Sequence, residues 1–165
     1  MSGGIRDITW DEVADSISDP IFIADSDNNI VKANISFARL FKKKIEDVVG
    51  KKCYEVVHKS AAPFFSCPFE KSKKDGKIHV EEVDDPNIGV PILVTTSPIF
   101  DKSGKMVGVV HVSKDISGVK NTENELKDKI LELERFQKIT IDRELKMKEL
   151  KAKIARLESV ISDNK

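Results

Sequence analysis

The last 47 residues of the chain contain neither proline nor glycine, and this absence constrains the fold more than any other feature of the sequence. All six prolines lie at or before Pro98, and all eight glycines lie at or before Gly118. The chain of 165 residues therefore divides near Gly118 into two parts of different composition. Long segments rich in Glu, Lys and Leu that lack both residues are typical of helix. We expect a compact domain followed by a helical extension.

Charge is nearly balanced in both parts. Residues 1–117 carry 16 basic and 18 acidic side chains, and residues 118–165 carry 12 and 10. Binding to nucleic acid or to an anionic membrane normally requires a basic face that releases counterions. No window approaches the roughly 18 apolar residues needed to span a bilayer, and the N-terminus lacks the apolar stretch of a signal peptide. We therefore expect no nucleic-acid partner, no membrane partner and a cytoplasmic location.

The first half of the compact part predicts a hairpin among short helices. Thr9, with Glu12 three residues later, is typical of a capping box and predicts a helix over residues 10–16. Short apolar runs flank a cluster of turn-forming residues at 26–29, which predicts a β-hairpin. Helical patterns follow, and a glycine ends two of them. These short helices are predicted over residues 34–41, 45–49, 54–58 and 68–74.

The second half of the compact part is rich in strand-forming residues. Turn-forming clusters at residues 84–87 and 101–104 separate three such segments. The segments cover residues 78–83, 90–97 and 105–113. Two strands, then helices, then three strands predict an α+β domain in which a five-stranded antiparallel sheet carries short helices on one face. We assign residues 1–8 to a flexible N-terminus, residues 9–117 to this domain and residues 118–165 to the helical extension.

Apolar residues recur along the extension at the spacing of a coiled-coil seam. They are Leu126, Ile130 and Leu133, and then Met147, Leu150, Ile154, Leu157 and Ile161. Between the two groups the step from Leu133 to Phe136 adds a second interval of three, which is a stammer if the helix is continuous. The β-branched run at 139–141 disfavours helix. The pattern allows either a slipped coiled coil or a helical hairpin broken near residue 140.

A narrow apolar stripe on such a helix requires a partner. We expect the same helix of a second copy, which gives a parallel homodimer through residues 118–163. The alternative is that the extension folds back on its own sheet.

Several short motifs follow one another in a defined order within the compact part. They are the segment over residues 17–25, Asn34 after the second strand, the Val49-Gly50-Lys51 turn, Gly108-Val109-Val110 in the last strand, and the exit Lys114-Asp115-Ile116-Ser117. Together they resemble the PAS family of sensory domains, whose exit motif usually has threonine where this chain has Ser117. The resemblance implies a sheet that cups a small pocket for a ligand, a redox centre or a light-sensitive group. It also implies that Asp115 and Ile116 couple the domain to the outgoing helix, and a simple capping role for Asp115 is compatible with this.

Cys53, His58 and Cys67 are the residues with candidate cofactor chemistry. Thiols and an imidazole hold zinc or iron when a fourth ligand completes the set, but the spacing matches neither a zinc knuckle nor a covalent haem motif. Three interpretations stay open. They are buried structural thiols without a cofactor, a thiol–disulfide redox switch, and a site for a metal, haem or cluster.

The redox and metal interpretations each depend on neighbouring residues. A sensor thiol needs access and a lowered pKa, for which Lys51, Lys52 and Lys59 are nearby cations. A fourth metal ligand could come from His79, His111, a carboxylate or water. Both histidines lie on predicted strands, where either is able to face the pocket.

Catalytic and photochemical motifs are absent from the sequence. There is no phosphate-binding loop, zinc-protease motif or nucleophile elbow, and the extension has no histidine that could act as a kinase phosphoacceptor. The cysteine motif of the family's flavin photoreceptors is also missing. We expect a non-enzymatic sensor that detects a small ligand, a redox state or a bound cofactor and signals to a downstream protein through a dimeric helix. The alternative is a structural adaptor for dimerisation or docking, or a non-catalytic part of a sensor kinase or transcription regulator.

Overall fold

The computed structural model describes the backbone of residues 8–163 and the side chains of residues 8–156. Contacts divide the chain into two compact units, one that ends at Gly118 and one that begins at Val119. Apart from Ile8, the predicted flexible N-terminus lies outside the described residues.

The first unit is an α+β domain built on one antiparallel sheet. Its helices are α1 (Trp10–Asp15), α2 (Ile35–Leu40), α3 (Ile45–Val48), α4 (Cys53–Val57) and α5 (Pro68–Asp75). Its strands are β1 (Ile21–Asp25), β2 (Ile30–Ala33), β3 (His79–Val83), β4 (Ile92–Phe100) and β5 (Met106–Asp115). The strand order is β2-β1-β5-β4-β3, so the last strand, β5, lies at the centre of the sheet and pairs with the first strand, β1. The predicted fold class is confirmed.

The sheet buries one face against the short helices. Along β1 and β5 the buried side chains alternate with half-exposed ones, as the two-residue period of a strand requires. Phe22 and Val109 are each no more than 1% exposed, and both belong to a core that also receives Phe37 from α2 and Phe69 from α5. This core lies between the sheet and the helices.

Strand β4 extends past the position at which its pattern predicts an end. The expected strand over residues 90–97 begins at Ile92 and continues to Phe100. Pro98 lies inside it, opposite Val109 of β5. Pairing along the whole length of β5 therefore decides the strand boundary, although proline supplies no N–H to a ladder.

Asn34 fixes the first helices to the edge of the sheet. Its side-chain oxygen accepts hydrogen bonds from the backbone N–H groups of Ile21 and Phe37, each at 2.9 Å. Its side-chain nitrogen donates to the carbonyl oxygens of Ala14 and Asp19. One fully buried amide thus caps α2 and ties α1 to β1.

The second unit continues the helix α6 (Ser117–Asp163). This helix passes through residues 139–141 without a break, so the structure shows one helix and not a hairpin. The hydroxyl of Thr140 donates back to the carbonyl oxygen of Phe136 at 2.9 Å, a contact that helices tolerate. None of the helices within residues 8–163 is both long and apolar enough to cross a membrane.

Candidate functional site

A small cavity lies between the sheet and helices α4 and α5. It is lined by Val57, His58, Phe64, Cys67, Pro68, Val83, Ile92, Val94 and His111. Its volume is about 20 Å³. Since one water molecule needs roughly 10–15 Å³ of such space, the cavity has room for about one water. Apolar side chains form most of its walls, and the two imidazoles and the thiol are its polar groups.

His58 closes one side of the cavity from the end of α4. Its Nδ1 lies 2.5 Å from Oδ2 of Asp85, which belongs to the loop between β3 and β4. The ring of Phe64 packs edge-on against the imidazole, with centroids 5.0 Å apart. Burial raises the pKa of Asp85, but hydrogen bonds from His58 and Asn87 outweigh it and hold that pKa below its ordinary value. The pair therefore joins α4 to the β3–β4 loop.

His111 is the second imidazole of the cavity and projects from the central strand β5. Its ring stacks on Phe22, with centroids 4.5 Å apart and planes inclined by 20°. Burial, reinforced by the neighbouring His58, lowers the pKa of His111 to about 3. The imidazole is therefore neutral at physiological pH. Ser113 offers a hydroxyl 3.4 Å from its Nδ1.

Cys53 and Cys67 are free thiols, and both are buried. Burial, reinforced by the neighbouring Cys67, raises the pKa of Cys53 to about 12, and burial also raises the pKa of Cys67. The redox-switch interpretation calls for a lowered thiol pKa, whereas burial raises the pKa of both thiols, because loss of hydration disfavours the thiolates. Both thiols are therefore protonated at neutral pH.

The structure brings together only part of the predicted set. Cys67, His58 and His111 line the cavity, whereas Cys53 is not among its lining residues. Instead Cys53 begins α4, where its backbone N–H donates to the carbonyl oxygen of Asn28 at 2.9 Å. His79 lies at the surface, with Nε2 3.1 Å from the carboxylate of Asp75.

The residues around the cavity do not fit a haem or a metal ion in this arrangement. Space for one water excludes a tetrapyrrole unless the walls move. Within residues 8–156, no group of three or more His, Cys, Asp or Glu side chains is placed to hold a metal ion.

Sequence reasoning missed Asp85 and Phe64. The sequence places Asp85 only in a turn-forming cluster, and it contacts His58 at a sequence separation of 27 residues. Phe64 lies in a stretch without a periodic pattern, between α4 and α5. A carboxylate near a histidine in space leaves no trace in spacing, so neither residue carried a usable signal.

Two hydrogen bonds hold the segment through which the chain leaves the sheet, residues 115–117. Asp115 ends β5, and its Oδ1 accepts a hydrogen bond from the backbone N–H of Ser117 at 2.8 Å. Hydrogen bonds from the Ser117 hydroxyl and backbone lower the pKa of Asp115. The side chain of Ile116 is buried, and its N–H donates to the carbonyl oxygen of Pro91, one residue before β4. The end of β5 and the first residue of α6 are thereby held beside the start of β4.

Helix α6 exposes an apolar stripe along much of its length. Its members are between 47% and 62% exposed, and they are Leu126, Ile130, Leu133, Phe136, Met147, Leu150 and Ile154. Thr140 and Arg143 occupy the stripe positions between Phe136 and Met147. The predicted seam residues Leu157 and Ile161 lie outside the described side chains.

Comparisons with known proteins agree on one family and one fold. A family model described as a PAS domain matches residues 18–118. No curated protein matches the sequence.

Three solved structures with this fold are similar to the chain. The PAS domain of a Colwellia psychrerythraea protein is 16% identical, with a TM-score of 0.51, and the match covers 65% of this chain and 93% of that one. The PAS domain of Bordetella pertussis BvgS is 19% identical, with a TM-score of 0.53, and the match covers 72% and 94%. The photoactive yellow protein domain of the sensor histidine kinase Ppr from Rhodospirillum centenum is 16% identical, with a TM-score of 0.52, and the match covers 65% and 94%.

Proposed function

Because this chain belongs to the PAS domain family, we propose that it is a sensory module whose cavity detects a small neutral ligand and whose helix α6 transmits the result as a dimer. The observation that carries this proposal is the cavity in which His58, Cys67 and His111 meet behind apolar walls. One of the similar domains comes from a protein named as a sensor histidine kinase, which supports a sensory role. No catalytic activity is proposed, and the output would come from a downstream protein.

The chemistry of the cavity walls favours a neutral ligand. The thiol of Cys67 and the imidazole of His111 are uncharged at neutral pH, and the carboxylate of Asp85 already faces His58. An unpaired charge buried among apolar walls is costly. An uncharged molecule could hydrogen-bond to the two imidazoles while its apolar part contacts the walls. Phe64 lies on the loop between α4 and α5 and is the wall best placed to move outward.

A direct covalent route joins the cavity to the helix. His111 lies on β5, and this strand ends four residues later at Asp115, where the exit segment begins. A shift of β5 on ligand binding would therefore act on Asp115 and Ile116, to which the start of α6 is fixed.

The pattern of α6 favours a parallel pairing with a second copy. In the first register, which contains Leu126, Ile130 and Leu133, two flanking positions face each other across a parallel dimer. They hold Lys129 and Glu134, which have opposite charge. In the second register, which begins with Met147 and Leu150, one such pair of positions holds Lys146 and Lys151, which repel. Polar Thr140 and Arg143 lie in the seam of the same region. The middle of the dimer is thus its least stable part, and there a change of register would cost least.

Native mass spectrometry of protein purified without oxygen, with an absorption spectrum and metal analysis, tests the sensory proposal. Since the cavity as observed has room for about one water, a larger ligand requires Phe64 to move outward. We expect a small uncharged organic molecule to be retained in this way, without iron or zinc in proportion to protein. Val94→Leu adds a methylene to a cavity wall and should expel the molecule, whereas Val48→Leu makes the same change in core that does not line the cavity. A haem spectrum or stoichiometric metal would contradict the neutral-ligand proposal.

A structural adaptor is the second candidate, and the small size of the cavity favours it. With room for about one water, side chains nearly fill the interior. In that case the domain and α6 would serve for dimerisation or docking only. Protein that carries no small molecule, with a Val94→Leu variant that dimerises as the wild type does, would support the adaptor over the sensor.

A further inference from the structure

A second depression lies on the surface where α2 and α4 end beside the loop between β3 and β4. It has a volume of about 290 Å³. Its floor is apolar and comes from Leu40, Phe41, Val56 and Ile88. Its rim carries Lys42, Lys43 and Lys59, and Asn87 completes the lining. We call it the basic groove, since no acidic residue lines it.

Backbone geometry brings two of the three lysines to the rim. Lys42 directly follows the C-cap residue of α2, and Lys59 directly follows the C-cap residue of α4. Each of the two lysines has φ of 52°, in the left-handed region. Residues with a Cβ adopt this conformation at a cost of roughly 1–2 kcal/mol. After α2 the turn is stabilised by hydrogen bonds from the N–H groups of Lys42 and Lys43 to the carbonyl oxygens of Arg39 and Ala38. Asn28 is the one further non-glycine residue with positive φ within residues 8–163.

The three ammonium groups leave the groove with an excess of positive charge. Within residues 8–156, none of the three lysines forms an ion pair. The ends of α2 and α4 supply negative partial charge, but even a long helix contributes only about half a unit. These helices have six and five residues. Three full positive charges therefore exceed the two partial negative ones.

The three lysines of the basic groove surround an apolar floor, which distinguishes them from lysines that are only solvated. Phe41 is half-buried, and Ile88 is 8% exposed and belongs to the core. A ligand that fits must present an anionic group to the rim and a short apolar part to this floor. The volume lies at the lower end of the roughly 300–1,000 Å³ of small-molecule sites, so the apolar part must be short.

We propose that the basic groove binds a small organic anion, a carboxylate with a short apolar chain or ring. This proposal does not depend on the ligand of the cavity. An occupant would also contact Asn87, whose side chain donates to the carbonyl oxygen of His58 at 3.0 Å. Binding would therefore tighten the contact between the β3–β4 loop and the end of α4.

Titration of the full chain with hexanoate, followed by amide NMR, tests the groove. We expect saturable shifts at residues 40–43, 56–59 and 87–88. Replacement of Lys42, Lys43 and Lys59 by Gln should weaken binding at least tenfold, because it removes the charges and leaves the backbone unchanged. A control variant with Lys51, Lys74 and Lys77 replaced by Gln has the same net charge and should change affinity less than twofold. Raising NaCl from 50 to 500 mM should weaken binding through screening.

Neutral hexanol and inorganic phosphate define the chemical class in the same experiment. Hexanol lacks the charge and phosphate lacks the apolar part, so each should bind at least tenfold more weakly than hexanoate. Equal binding of either probe would overturn the proposal, as would shifts that do not saturate or an equal loss in the control variant. Circular dichroism melts of both triple variants establish that they are folded.

Discussion

Burial keeps the imidazole of His111 neutral, with a pKa of about 3 in the folded domain against an ordinary value of 6.5. A group whose pKa is lower in the folded state binds more protons when unfolded, so the stability of the folded state falls as pH drops from about 6.5 towards 3. Between pH 7 and pH 4 this one residue should cost about 3 kcal/mol of the free energy of unfolding.

His111→Phe tests this assignment because it retains a ring to stack on Phe22 and removes the titrating group. Urea unfolding at pH 7 and pH 4 should show a loss of stability in the wild type that exceeds the loss in the variant by about 3 kcal/mol. Acid-sensitive carboxylates such as Asp85 act in both proteins and cancel in the comparison. An equal loss in wild type and variant would show that His111 does not carry the effect.

The protonated thiols predict slow chemistry at Cys53 and Cys67. A pKa of about 12 for Cys53 leaves it almost no thiolate at pH 8, so its reaction with a disulfide reagent should be at least about a thousandfold slower than that of an unfolded cysteine. Kinetics in buffer and in denaturant measure the ratio. Reaction of native protein at the unfolded rate would restore the redox-switch interpretation.

At this scale sequence reasoning succeeded where the determinant is local. The capping box of Thr9 and Glu12 is present as predicted, and Asn34 follows the hairpin as the resemblance required. The raised pKa values of the thiols could not be predicted from the sequence, because they depend on burial by residues far apart in the chain. The contact of His58 with Asp85 has the same origin.

Among the secondary-structure elements, β1 and β5 pair at Gly108 without space for a side chain. A Cβ at this position would lie 2.6 Å from the carbonyl oxygen of Ala24, which is backbone and cannot rotate away. Gly108→Ala should therefore destabilise the domain by about 1–3 kcal/mol through forced separation of the strands. Chemical denaturation measures the change.

Gly118→Ala is the matched control for that substitution. Nothing lies within 4 Å of a Cβ at Gly118, which sits in the first turn of α6. Alanine there should be neutral or stabilise by up to about 1 kcal/mol, because glycine is the poorer helix former. A loss at Gly118 as large as that at Gly108 would contradict the steric explanation.

The periodicity of the sequence predicted that the helices and strands exist, but it did not predict where they end. The β-branched run at 139–141 allowed two alternatives, a continuous helix and a break near residue 140. Helix α6 is continuous, because three neighbouring β-branched residues lower helix propensity only slightly. Strand β4 runs past Pro98 because β5 pairs with it there. Tertiary pairing overrides local preference at such positions.

For the whole molecule, the absence of proline and glycine after Gly118 predicted the division into a domain and a long helix. The α+β class followed from the predicted order of strands and helices, and the PAS family followed from the order of short motifs. The size of the cavity did not, because it depends on how side chains from α4, α5 and three strands pack together. The basic groove was equally hidden, since Lys59 is 16 positions from Lys43 and joins Lys42 and Lys43 only where two helices end.

The central claim is that occupancy of the cavity changes how two copies of α6 pair in a dimer. A distance measurement between spin labels tests this claim most directly. Ala152→Cys places a label on the outer side of the seam, while the two native thiols stay unlabelled. In a parallel dimer the two labels lie at the same height, whereas antiparallel pairing about the midpoint of α6 would separate them by about 36 Å along the axis.

We predict one narrow short-distance population in the wild type, a changed distribution when Val94→Leu fills the cavity, and no change with Val48→Leu. Absence of any coupling between labels, or identical distributions in the wild type and the Val94→Leu protein, would contradict the account.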